Sequence, residues 1–86
     1  MSKPKANELV VVHVNWRPHR ATNHTKNRVR EHGPKFKLVA GPKVPAFDRR
    51  RRPHLLLVSL RPLRGGDHWA GWLPENEITI DVIDDG

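Results

Sequence analysis

Four consecutive arginines, Arg49, Arg50, Arg51 and Arg52, are the residues in this chain whose type and spacing most directly imply chemistry. Adjacent guanidinium groups repel one another, so grouping them is useful where an anion neutralises them. In an extended loop, alternate side chains point the same way about 6.6 Å apart. That is close to the spacing of successive phosphates, and each guanidinium can grip a phosphate through two parallel hydrogen bonds. The same run also reads as a solvated loop that discourages edge pairing. A second basic element surrounds the first turn of the chain: Arg17, Arg20, Lys26, Arg28, Arg30, Lys35 and Lys37, interleaved with His19, His24 and His32. Together the two elements could line a groove for a polyanion.

The histidines offer no metal set. His19, His24 and His32 have spacings that match no familiar zinc ligand pattern, and there is no cysteine to complete one. No cofactor is implied, and no Gly-rich phosphate loop is present, since Gly65-Gly66 reads as a turn. His13 with Asp67 or His68 is the one candidate acid–base pair, and Ser59 lies in an apolar run without a base partner. Trp16 follows a valine face and is expected in the core. Trp69 and Trp72, three apart, point to opposite faces of a strand, which leaves one of them open to solvent and able to stack a base.

The charge is unevenly placed. The chain of 86 residues has a formal net charge of +7. Residues 1–64 hold all 16 Lys and Arg against three acids, a net of +13; residues 65–86 hold six acids and no Lys or Arg, a net of −6. A field of that sign attracts and steers phosphate polymers. The acidic end either pairs with part of the basic surface or keeps one face clear of it. The absence of cysteine fits a reducing, cytoplasmic setting. The longest apolar runs, 9–12 and 55–58, fall far short of the roughly 20 residues that cross a bilayer, so no membrane partner is expected.

These side chains need a scaffold, and the pattern supplies a β one. Residues 9–16 alternate Val10, Val12, Val14 and Trp16 on one face. Residues 17–33 carry only Ala21 and Val29 as apolar residues. A short helix there, capped by Asn23 or Thr25 and stopped at Gly33-Pro34, competes with a loop. Residues 35–40 alternate around Phe36 and Leu38. Residues 41–47 are irregular or an edge strand, and 48–53 a charged loop. Residues 54–60, the most apolar stretch, read as the central strand; 68–73 and 78–83 follow, separated by a turn or single 3₁₀ turn at Pro74-Glu75-Asn76-Glu77. Residues 1–7 read as a disordered tail and 8–84 as one domain. The expected fold is mostly β: a five-stranded small barrel or two packed sheets, with a long basic first loop that holds a short helix or none.

The closing segment Trp69-Ala70-Gly71-Trp72-Leu73-Pro74-Glu75-Asn76-Glu77-Ile78 resembles the end of SH3-like small barrels, where a strand ending in Gly-aromatic-aliphatic-Pro runs through a 3₁₀ turn into a last short strand. The resemblance implies that architecture. The aromatic first-loop motif of peptide-binding SH3 domains is replaced here by His19, Arg20, His24, Lys26, Arg28 and Arg30, which argues against proline-rich peptide recognition. Three functions therefore stand as expectations. The first is a small, non-enzymatic binder of DNA or RNA with low sequence specificity. The second is a protein-interaction module, such as a phage- or plasmid-type small protein that docks on a host protein or the ribosome. The third is a small toxin-type ribonuclease.

Overall fold

The computed structural model describes residues 7–16 and 21–83. Five antiparallel strands form one sheet: β1 (Leu9–Val14), β2 (Lys35–Lys43), β3 (His54–Pro62), β4 (His68–Pro74) and β5 (Ile78–Val82). A helix, α1 (Asn23–His32), lies between β1 and β2, and a 3₁₀ turn (Glu75–Glu77) links β4 to β5. The spatial order is β4-β3-β2-β1-β5, so β2 and not β3 is the middle strand. Of the expected tail, residues 1–7, all but Asn7 lie outside the described residues. Asn7 itself is tied down, its N–H donating to the Leu38 carbonyl at 2.5 Å.

The ladder does not close: β4 pairs only with β3, and β5 only with β1. The expected closed barrel or pair of packed sheets is thus one open sheet. It is nevertheless strongly curled, and chain length shows why. In a flat sheet β4 and β5 would lie four strand spacings apart, about 19 Å. Pro74 and Ile78 are separated only by the three residues of the 3₁₀ turn, which even fully extended reach about 14 Å. Irregularities in β2, between Leu38 and Ala40 and between Ala40 and Lys43, supply the bend.

The concave face holds the core: Val10 and Val12 from β1, Phe36 and Leu38 from β2, Leu55 and Leu57 from β3, Leu73 from β4 and Ile78 from β5. Alternation puts Lys35, Lys37, Val58 and Trp72 on the other face. Trp69, Val29 and Ile80 pack against the core from its margins. Trp69 is therefore the inward member of its pair. Its ring lies where a Cβ on Gly71 would stand, 2.5 Å from the nearest ring atom, which is why β4 carries a glycine two residues after the tryptophan.

Two expectations for β1 change. The strand ends at Val14, and Trp16 is not in the core but 67% exposed. The alternation ends because Asn15 turns the chain away: its N–H donates to the Glu77 carbonyl at 2.8 Å, and its own carbonyl accepts the Ala21 N–H at 3.2 Å.

The helix forms despite its polar face, and its ends explain it. Thr22, rather than Asn23 or Thr25, is the N-cap; its hydroxyl accepts the Thr25 N–H at 3.4 Å. At the other end the Arg61 guanidinium donates to the Glu31 and Gly33 carbonyls at 3.1 and 3.0 Å, and the Ser59 hydroxyl donates to the His32 carbonyl. A cation against these carbonyls also opposes the negative end of the helix dipole. The His32 ring stacks on Trp69, with centroids 4.8 Å apart and planes 3° from parallel. Gly33 does stop the helix, but for a reason other than a left-handed turn. Its φ is −102°, and a Cβ there would stand 2.6 Å from the Phe36 ring and 2.7 Å from the Val29 carbonyl. Gly33→Ala is therefore expected to destabilise the fold by about 1–3 kcal/mol through overpacking, measured as a lower urea midpoint with an unchanged m-value.

Candidate nucleic-acid interface

The loop between β2 and β3 is organised by a single carboxylate. Asp48 accepts the Arg50 N–H at 3.2 Å on Oδ1 and the Arg52 N–H at 2.8 Å on Oδ2. The Arg51 N–H bonds the Asp48 carbonyl at 3.1 Å, and the Asp48 N–H bonds that of Pro45, also at 3.1 Å. These two turns hold Arg51 at φ 53°, a left-handed conformation that a non-glycine residue seldom adopts. Next to them His54 is buried, and its Nδ1 donates to the Arg52 carbonyl at 2.8 Å.

Arg52 faces inward while its neighbours face out. Its Nε lies 3.4 Å from Asp48 and its Nη1 3.2 Å from Glu77 Oε2. Glu77 is only 3% exposed, a buried charge that needs partners to remain ionised. Arg52 is one of them; the Thr22 N–H at the start of α1, donating to Oε1, is another. The helix has no acid of its own in its first turn, so Glu77 provides the negative charge that its N-terminus favours. The Glu77 main chain adds a third tie through Asn15, whose side-chain amide also donates to the Asn76 carbonyl at 3.0 Å. The Glu75 N–H bonds the Pro53 carbonyl at 3.0 Å. The 3₁₀ turn thus joins the end of β1, the start of α1 and the arginine loop.

Arg49, Arg50 and Arg51 are exposed, and none forms an ion pair with a described residue. Phe47, just ahead of the loop's carboxylate, is 67% exposed and meets the His54 ring edge-on at 5.6 Å.

The other basic residues are dispersed. On α1, Arg28 pairs with Glu31 at 3.2 Å, Arg30 donates to Asn27 Oδ1 at 2.9 Å, and Lys26 is half-buried. Lys35 and Lys37 stand on the convex face of β2, opposite Phe36 and Leu38. Arg17 and Arg20 lie outside the described residues. His13 reaches Asp81 at 3.3 Å, not Asp67 or His68, and the His68 Nδ1 donates to the Ser59 carbonyl at 2.8 Å. That cross-strand contact follows from the register, which places Val11 beside Asp81 and His13 beside Thr79. Among the described residues no three His, Asp or Glu side chains are grouped to hold a metal, and no helix is long and apolar enough to cross a membrane. An apolar hollow of about 200 Å³, lined by Leu38, Pro42, Leu55, Ile78 and Ile80 among others, opens where β2 bends past β5.

Sequence reasoning found the arginine run but not Glu77, whose partners stand 25 and 55 residues away. It also passed over Phe47, which it took only as part of an irregular segment. No protein-family model, curated protein or solved structure matches this chain.

Two outcomes test the junction. Glu77→Ala strips a half-buried guanidinium and a helix N-terminus of their acceptor and is expected to lower stability by about 2–3 kcal/mol, read by chemical denaturation. Asp48 behaves differently. Its partial burial acts to raise the carboxyl pKa, but the Arg52 and Arg50 N–H bonds and the charges of Arg52 and His54 outweigh that and hold it below its ordinary 3.8. A depressed folded-state pKa contributes stability that is present above the unfolded value and disappears as pH falls through the folded one. A carbon-detected titration should place the Asp48 midpoint below 3.8. Asp48→Asn should remove that part of the acid-side loss of stability.

Proposed function

We propose that this protein is a small, non-enzymatic nucleic-acid-binding domain of low sequence specificity that works in the cytoplasm. The observation that carries the reading is the state of Arg49, Arg50 and Arg51. They are three exposed guanidinium groups without a carboxylate partner among the described residues, on a loop braced by Asp48 and Glu77 through Arg52. Of the described carboxylates, Asp48 and Glu77 are engaged with Arg52, Glu31 with Arg28 and Asp81 with His13. A braced loop loses little conformational freedom when it meets a phosphate chain, so more of the contact energy remains as affinity. Phosphate contacts fix position without reading sequence, which is why low specificity follows. Lys26, Arg30, Lys35 and Lys37, though dispersed, add to the positive field that attracts the polymer.

An SH3-like architecture accompanies this proposal. It is supported by the strand order, with β5 returning beside β1, by the long first connection, and by the 3₁₀ turn between β4 and β5. Glu77 of the 3₁₀ turn bonds both the start of α1 and Arg52 of the β2–β3 loop, and that loop presents cations.

Replacing Arg49, Arg50 and Arg51 together by alanine is expected to weaken binding to all DNA sequences alike. It should also reduce the slope of log K against log salt by roughly 2–3. Fluorescence anisotropy with two unrelated duplexes over a salt series measures both. Unchanged binding and slope would refute the proposal.

A further inference from the structure

The chain has only three Trp, two Phe and no Tyr, yet two of these five rings stay outside. Trp16 and Phe47 are each 67% exposed, although the core between the strands is small enough to have used them. Both rise from fixed points of the same junction. Trp16 follows Asn15, whose N–H, carbonyl and side-chain amide are all bonded: to Glu77, to Ala21, and to Asn76 together with the Thr79 hydroxyl, which donates to Asn15 Oδ1 at 2.5 Å. Phe47 precedes Asp48, and its edge-on contact with His54 orients the ring while leaving most of it open. Arg52 and Glu77 connect the two stems, and Arg49, Arg50 and Arg51 begin two residues beyond Phe47.

An aromatic face recognises a base by stacking, and a guanidinium recognises the phosphate between bases. In a duplex the faces of the bases are already covered by their neighbours, so rings beside arginines gain their full contact only on an unpaired strand. We infer that the Trp16 and Phe47 rings make this surface selective for single-stranded nucleic acid, with bases on the two rings and phosphates on Arg49, Arg50 and Arg51. The inference rests on the phosphate-binding role given to those arginines and adds the strand state of the ligand.

The test uses the full chain with three labelled probes: an oligo(dT) of about 12 nucleotides, a duplex of the same length, and the same strand with abasic sites in place of bases. The wild-type protein should bind oligo(dT) more tightly than either the abasic strand or the duplex, and a duplex bound as tightly as oligo(dT) overturns the inference. Trp16→Ala and Phe47→Ala should each weaken oligo(dT) binding by roughly 5- to 100-fold, while duplex and abasic affinities stay within about a factor of two. Phe47→Tyr, which keeps the ring, should retain oligo(dT) affinity. Both alanine replacements are at exposed positions, and circular dichroism confirms folding. Equal affinity for oligo(dT) and its abasic counterpart overturns the inference and leaves phosphate binding standing. So do alanine variants that bind all three probes like the wild type. Failure to bind any probe at low salt removes the phosphate reading as well.

Discussion

The carboxylate of Glu77 is the point on which the rest of this structure turns. It is buried, and burial of an isolated charge is strongly unfavourable. The chain answers with one partner for each oxygen: the Thr22 N–H for Oε1 and the Arg52 guanidinium for Oε2. The requirement acts in both directions. Because Glu77 must be satisfied, the start of α1 and the base of the arginine loop must come to it, and segments far apart in the chain acquire a fixed relation. A hydrophobic contact at the same place would hold the segments together but would not select which backbone N–H and which side chain arrive there.

From this junction the charge distribution becomes intelligible. Among the described residues, the acids of the closing segment do not blanket the basic surface. Glu77 takes up one arginine of the run, the innermost, and Asp81 meets His13 on the far side of β1. Asp48 uses its capacity on the loop's own backbone and on Arg52. What is left outward is a short row of guanidinium groups on a loop with a defined shape. Arg61 shows the contrasting fate of a cation in this chain. Its guanidinium is consumed by carbonyls at the end of α1, so it serves the helix and not a ligand. Neighbouring cations of one type thus divide into structural and free ones by the acceptors the fold brings to them.

The helix illustrates the same economy of means. One apolar side chain, Val29, cannot hold ten residues in helical form by packing alone. Its stability is supplied at the termini, by Thr22 and Glu77 at one end and by Arg61, Ser59 and the His32–Trp69 stack at the other. This leaves its flanks free to carry charge. These bonds tie both ends of α1 to the sheet, although its composition is that of a solvated loop.

Much of the sheet was legible in the chain, because period-two alternation is a local property. Val10 and Val12, Phe36 and Leu38, and the turn at Pro74 followed by Glu75–Glu77 could each be read from a few adjacent residues. The arginine run was legible for the same reason, and the end of the helix was visible in Gly33-Pro34. The chain alone did not disclose that β2 lies in the middle, that the sheet stays open while curling, or that Trp16 leaves the valine face; each depends on pairings between distant segments. Trp16 continued the pattern of β1 by spacing, but the Asn15–Glu77 bond, 62 residues across the chain, ended the strand before it. Composition and periodicity determined which residues prefer water and which prefer one another. Tertiary structure alone decided which charges found a partner, because that depends on where a buried carboxylate comes to rest.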